Sequence, residues 1–320
     1  MPLLLLLLVL LGCGKEPAPT RTLTVFNAGS LARPMRAVLD TFARREGVTV
    51  AQESAGSLES ARKLTELGKV PDVIALADAD VFPQYLMPTH VASYTLFARN
   101  RMVVAYTDRS RHASEMRTES WTDILSRPDV DVGRSDPELD PNGYRTLMVW
   151  QLAARARGDS TLPARLEARA GVRNVRPKEA DLVGLLQAGE FDYIWSYESM
   201  AKAIGLRYVL LGDSVDLSNA ALADFYHEAK VTVRGGIAGS RVTFWGTPIV
   251  YAFAVPRNAP QPELAQRFTD FLVSAEGKEI LRREGLDALD MPEVLTGLMR
   301  RGALAAASNA SLTAHGTAPR

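Results

Sequence analysis

The sequence predicts an α/β protein of two lobes, each a mostly parallel sheet flanked by helices, joined by a two-strand hinge. Three observations carry this prediction. From Leu23 onward, strand-like apolar runs alternate with helical patterns, as in βαβ units. From Thr107 the chain enters a segment with its own helix, turn and strand signals, which reads as an inserted lobe. A strong apolar run bounded by prolines, Pro248 to Pro256, then leads back to the first lobe. With 320 residues, 47% of them hydrophobic, the chain is long enough to bury two cores.

In chain order, the first signal is the apolar run Leu3 to Leu11, too short to span a bilayer at about 20 residues per helix. Its length suits a signal-peptide core, and its end, Leu10-Leu11-Gly12-Cys13, resembles a bacterial lipobox. Residues 1–13 therefore read as a lipoprotein signal peptide with Cys13 lipidated, although no Lys or Arg precedes the run. Residues 14–22, with Pro17 and Pro19, read as a tether. Cys13 is the single cysteine, so the exported domain must rely on its core rather than on disulfides.

Leu23, Val25 and Phe26 form a strand run, followed by Leu31, Met35, Val38, Leu39 and Phe42 on one helical face. Val48 to Val50 and then Leu58, Ala61, Leu64 and Leu67 repeat that order, and Asp72 to Ala77 adds a third strand. Arg101 to Tyr106 is a further strand near the outward crossing, Phe97 to Tyr106. Beyond it come a helix at Trp121 to Leu125, a turn cluster at Asp136 to Gly143 and an amphipathic stretch at Thr146 to Ala156. Glu179 to Gln187 reads as a helix and Asp192 to Tyr197 as a strand. The return falls at Tyr251 to Pro256, and Leu264, Phe268, Phe271 and Leu272 mark a terminal helix face, with Gly285 as a stop. Residues 23–98 and 256–304 form the first lobe, 99–255 the second with the hinge strands, and 305–320, rich in Ala, Ser and Thr, a disordered tail. Two crossing strands suit a cleft that closes on a ligand.

The most informative local feature is a repeat. Ala28-Gly29-Ser30-Leu31 and Ala55-Gly56-Ser57-Leu58 each stand where a strand run gives way to a helical pattern. A serine at such a cap, beside helix N–H groups without intrahelical partners, is suited to an anion. One such cap is ordinarily structural, but two at the carboxyl ends of consecutive strands lie where open α/β sheets bind ligands. A third near-copy, Ala238-Gly239-Ser240, precedes a strand-like alternation, Arg241 to Trp245, and is set aside. Lys plus Arg equals Asp plus Glu, at 37 each, so no overall field favours nucleic acid and any anion site is local.

The chain resembles the tungstate/molybdate-binding proteins of ABC importers, closest to the archaeal type, from about Leu23 to Gly285. The likeness rests on both Ala-Gly-Ser-Leu runs, Arg62-Lys63-Leu64-Thr65-Glu66-Leu67-Gly68, Phe97-Ala98-Arg99-Asn100 and Val104-Ala105-Tyr106-Thr107-Asp108. It continues in Arg127-Pro128-Asp129-Val130, Ser135-Asp136-Pro137, Asp140-Pro141-Asn142-Gly143-Tyr144-Arg145 and Arg176-Pro177-Lys178-Glu179. The resemblance implies a periplasmic-binding-protein-like fold with the oxyanion between the lobes. Ser30 and Ser57 would donate their hydroxyls, Tyr197 a further hydrogen bond, and Asp140 and Glu179 would reach the molybdenum or tungsten atom itself. It also implies a monomer without a cofactor, held on the periplasmic or extracellular side by its lipid anchor and serving a membrane permease with a separate ATPase. Two departures stand out: the archaeal proteins usually carry cysteine at Asn142, and a longer insertion before Arg176.

Each of these residues also has a plain structural reading. Asp140-Pro141-Asn142-Gly143 is a turn sequence, Glu179 suits a first helical turn, and a strand tyrosine commonly belongs to a core. Glu198 faces away from Tyr197 along the strand and is left out of the site. Two carboxylates beside a dianion repel it by several kcal/mol unless its central atom accepts them as ligands. Tungsten and molybdenum do so more readily than sulfur, which would select against sulfate. Serine caps alone leave sulfate, phosphate or an organic anion open. A serine hydrolase is the remaining alternative. His90, His112, His227 and His315 are scattered, however, and no Gly-x-Ser-x-Gly elbow, phosphate loop or metal-binding histidine spacing is present.

Overall fold

The computed structural model describes residues 21–296. The signal segment with Cys13, most of the tether and the tail lie outside these residues. The first lobe opens with β1 (Thr22–Ala28), a 3-10 turn (Gly29–Leu31), α1 (Ala32–Glu46), β2 (Thr49–Ala55), α2 (Ser57–Leu67), β3 (Val73–Leu76) and β4 (Tyr94–Arg99). The second contains β5 (Met102–Tyr106), α3 (Trp121–Leu125), β6 (Val132–Ser135), α4 (Pro141–Arg157), α5 (Leu162–Arg169), β7 (Val175–Arg176), α6 (Glu179–Ala188), β8 (Tyr193–Tyr197), α7 (Glu198–Ala203) and β9 (Arg207–Leu210). After α8 (Ala223–Tyr226) and a hairpin of β10 (Lys230–Arg234) and β11 (Arg241–Trp245), the chain rejoins the first sheet as β12 (Val250–Ala254). It ends with α9 (Pro262–Leu272), α10 (Ala275–Arg283) and β13 (Asp287–Leu295).

The first sheet has the order β13-β4-β12-β3-β1-β2, and the second β7-β6-β8-β5-β9. Parallel pairing joins β2, β1 and β3 in one and β7, β6 and β8 in the other, while the remaining strands pair antiparallel. Helices cover both faces, so the inner strands are mostly apolar: all of β3, β5, β8 and β12 is buried. α1 buries the predicted face and stops at Gly47, whose φ of +62° is the left-handed cap that glycine accepts without strain. Phe42 of α1 meets Phe268 of α9 edge-on, with ring centroids 5.2 Å apart. In the second lobe Trp121 packs edge-on against Trp195 at 5.7 Å.

The stretch Thr146 to Ala156, expected to show one apolar face, lies in α4, which is buried on most of its surface. It is flanked by the second sheet on one side and by the hairpin on another, where Tyr144 stacks on Phe244 at 4.7 Å. The chain passes between sheets at Asn100–Arg101. It returns beside that crossing, where Asn100 N–H donates to Ile249 O, Met102 N–H to Asp216 O and Ile249 N–H to Leu217 O.

Candidate functional site

Four helix starts meet between the lobes. In the first lobe, Ala28 pairs in register with Ala55 at the ends of β1 and β2, which sets the two Gly-Ser turns side by side. From the second come α4, opened by Asp140, and α6, opened by Glu179. The N-terminal turn of each helix carries partial positive charge, so the convergence favours an anion. The serines, however, do not cap. Ala28 and Gly56 hold the extended N-cap positions, so Ser30 lies two residues and Ser57 one residue further on, within the helical turns. Their hydroxyls therefore engage other elements: Ser57 Oγ accepts from Ala77 N at 3.0 Å, and Ser30 Oγ shares a 2.9 Å hydrogen bond with Tyr251 OH.

Asp140 does cap. Its Oδ1 accepts from Asn142 N at 3.2 Å, and its Oδ2 from Glu179 N at 2.8 Å, so one carboxyl serves two helix starts. Glu179 turns back onto β8, where its Oε1 accepts from Ser196 Oγ and from Tyr197 N, both at 2.6 Å. Its Oε2 is buried with no hydrogen-bond partner among the described residues. Tyr197 OH accepts from Arg145 Nη1 at 2.8 Å, and the same Nη1 donates to Ala77 O at 2.7 Å. Ser57, Tyr197, Glu179 and Asp140 are thus joined through Ala77 and Arg145, while the Tyr251 ring of Ser30's partner lies 5.9 Å from that of Tyr197. All five residues singled out from the sequence fall in this buried cluster. Glu198 lies outside it, ion-paired with Arg101 at 3.3 Å. Asn142 is fully buried and accepts from Ser135 Oγ at 3.2 Å.

The lobes are closed on each other. Leu139 O of the second lobe accepts from Leu58 N and Glu59 N in the first turn of α2, at 3.1 and 3.3 Å. Gly56 permits this approach, because a Cβ there would stand 2.2 Å from Leu139 O. Gly56→Ala is expected to hold the cleft ajar at a cost of about 1–3 kcal/mol, weakening ligand binding about 5- to 150-fold. Calorimetric titration checks this, alongside a melting curve of the empty protein that should be little changed.

Burial raises both acids. Glu179 is pushed up to about 8 by burial, with the nearby Asp140 charge adding to it, and Asp140 to about 6 by burial. Arg145 moves upward as well: burial alone would lower it, and the Asp78 carboxylate 2.9 Å from its Nη2, with Tyr197 and Tyr144 beside it, outweighs that. Arg145, Tyr251, Asn100 and Asp78 were not assigned to the site from sequence. The available signal for Arg145 was a lone charge ahead of the apolar positions Leu147 to Trp150 in a helix.

Two lobes closed over a buried polar cluster at opposed helix starts define a ligand-capturing receptor. The chain belongs to the bacterial extracellular solute-binding protein family, whose model matches residues 23–287. It is 40% identical over 275 residues to an uncharacterised solute-binding protein of Petrotoga mobilis, covering 86% of each chain. It is 36% identical over 330 residues to the molybdate/tungstate-binding protein of Pyrococcus abyssi, covering 92% of this chain and 95% of that one. Among solved structures it is similar in fold to the Azotobacter vinelandii periplasmic molybdate-binding protein, with a TM-score of 0.58 at 14% identity over 82% of this chain and 98% of that one. The sulfate-binding protein SubI of Mycobacterium tuberculosis gives 0.57 at 15% identity, over 84% and 88%.

Proposed function

We propose that this protein is the extracytoplasmic receptor of an ABC importer for tungstate or molybdate, with the oxyanion held between its lobes. Ser30, Ser57 and Tyr197 donate to the anion's oxygens, and Asp140 and Glu179 approach its metal centre. The observation that carries this reading is Glu179 Oε2, a carboxyl oxygen buried without a hydrogen-bond partner among the described residues, at a meeting of four helix starts. An oxygen left so is costly in an empty site, and an electron-poor centre brought by the ligand would offset that cost. The name of the Pyrococcus abyssi relative supports the same ligand.

The protein acts by binding rather than by turnover. Ser57 Oγ receives from a backbone N–H and Ser30 bonds to Tyr251, so neither hydroxyl is partnered with a general base. Residues 1–13 direct export, and Cys13 anchors the chain by lipid on the outer side of the membrane. From there the closed form docks on a permease driven by its own ATPase. The ligand's higher affinity for the closed form shifts the population toward it.

Calorimetric titration and thermal melting with tungstate, molybdate, sulfate and phosphate test the reading. At a hundredfold excess over Kd, tungstate or molybdate is expected to stabilise the fold by about 2.7 kcal/mol, with little shift from sulfate or phosphate. Equal shifts from sulfate, or an ester-cleaving activity abolished by Ser57→Ala, would overturn it.

A further inference from the structure

The site's hydroxyls are backed by a second layer of donors that runs to the hinge. Asn100 sits at the crossing between β4 and β5 and is nearly buried. Its Oδ1 accepts from the backbone N–H groups of Arg101 and Ser199, at 3.0 and 3.3 Å. That fixes the amide's orientation, because a flipped amide would point donors at donors. Its Nδ2 therefore donates, to Ser199 Oγ at 2.7 Å and to Tyr251 OH at 2.9 Å. With its oxygen already receiving from Asn100, Tyr251 turns its one proton toward Ser30 Oγ, 2.9 Å away. Ser30 then has its own proton left to give.

The other two hydroxyls are backed in the same sense. Tyr197 OH receives from Arg145, which has no acceptor atom, and Ser57 Oγ receives from Ala77 N–H. Three independent elements thus occupy the accepting side of three hydroxyls and leave their protons for the ligand.

Resting on the oxyanion reading above, we propose that Asn100 and Tyr251 are positioning residues: they orient the Ser30 proton toward the ligand, as Arg145 and Ala77 N–H orient those of Tyr197 and Ser57.

Asn100→Asp reverses the relay. The new side chain keeps the acceptor used by Arg101 N–H and Ser199 N–H, but takes the Tyr251 proton instead of donating to it. Tyr251 then accepts from Ser30, and Ser30 turns a lone pair to the ligand. The test measures molybdate Kd for Ser30→Ala in three backgrounds: the unaltered chain, Tyr251→Phe and Asn100→Asp. Comparison within one background cancels the charge that Asn100→Asp adds.

In the unaltered chain Ser30→Ala is expected to weaken binding tenfold or more, as loss of a donor to a charged group does. The loss shrinks in Tyr251→Phe, where the serine is no longer directed. In Asn100→Asp it vanishes or changes sign. Equal Ser30→Ala losses in all three backgrounds overturn the relay while leaving the oxyanion reading standing. If the unaltered chain binds no molybdate, the reading and the relay fall together. Should Asn100→Asp not fold, the comparison between the unaltered chain and Tyr251→Phe decides.

Discussion

Replacing Arg145 with methionine is expected to cost about 3–5 kcal/mol of folding stability, the usual penalty for stranding a buried charge by removing its partner. For a chain of this size that lowers Tm by roughly 6–20 °C. The Arg145 side chain is 2% exposed and that of Asp78 is 6%. Its Nη2 lies 2.9 Å from Asp78 Oδ2, and its Nη1 holds Ala77 O and Tyr197 OH. Without it, Asp78 keeps the hydroxyl of Tyr144 as its remaining side-chain donor. Pairing the change with Asp78→Asn removes the stranded charge, and the double variant is expected to recover much of the lost stability. It should not recover ligand binding, because Arg145 on α4 also ties the second lobe to the end of β3 in the first and braces Tyr197. Melting curves of the single and double variants, with tungstate titrations on both, separate the two roles. A single variant melting within 2 °C of the parent, an allowance of roughly 1 kcal/mol or less, would show that the pair is not stranded as argued.

The sequence disclosed what depends on local periodicity. The runs at Leu23 to Phe26 and Asp72 to Ala77 became β1 and β3, and Trp121 to Leu125 and Glu179 to Gln187 became α3 and α6 almost to the residue. It was less informative where tertiary contacts decide. The antiparallel placement of β12 between β3 and β4 depends on which sheet a distant strand joins, and no local pattern records that. The Gly-Ser repeat correctly marked two helix starts at the ends of neighbouring strands. Cap preference then put the serines in the wrong role, because the extended position fell on Ala28 and Gly56 and freed the hydroxyls for Tyr251 and Ala77. Asp140 and Glu179 were found through the family resemblance, their turn and helix-start settings being common in any fold. Tyr251 and Asn100 stayed hidden because their roles come from contacts 221 and 151 positions apart along the chain.

The second large effect is expected at Glu179, where binding and stability should move in opposite directions. Glu179→Gln keeps an oxygen to accept from Ser196 Oγ and Tyr197 N, and it replaces the unpartnered Oε2 with a neutral amide. Tungstate affinity is expected to fall at least a hundredfold, about 2.7 kcal/mol, because the atom proposed to reach the metal is gone. The empty protein should respond the other way. Burial raises the Glu179 carboxyl from its ordinary 4.5 to about 8, so between those values the folded chain holds a proton that the unfolded chain has released. Its contribution to stability is therefore full below about pH 4.5 and is lost as pH rises through about 8, by up to about 1.4 kcal/mol per pH unit. Asp140, raised to about 6, adds a narrower slope of the same sign in both proteins. The variant should match the parent at acid pH and exceed it increasingly toward pH 9, as read from denaturant unfolding at each pH. A variant that binds tungstate like the parent would remove Glu179 from the ligand's coordination. A stability gap that does not widen with pH would mean that the folded protein carries the ionised carboxylate without strain. If both effects appear, the site keeps a residue that weakens the empty fold for the sake of its ligand, as functional sites commonly do.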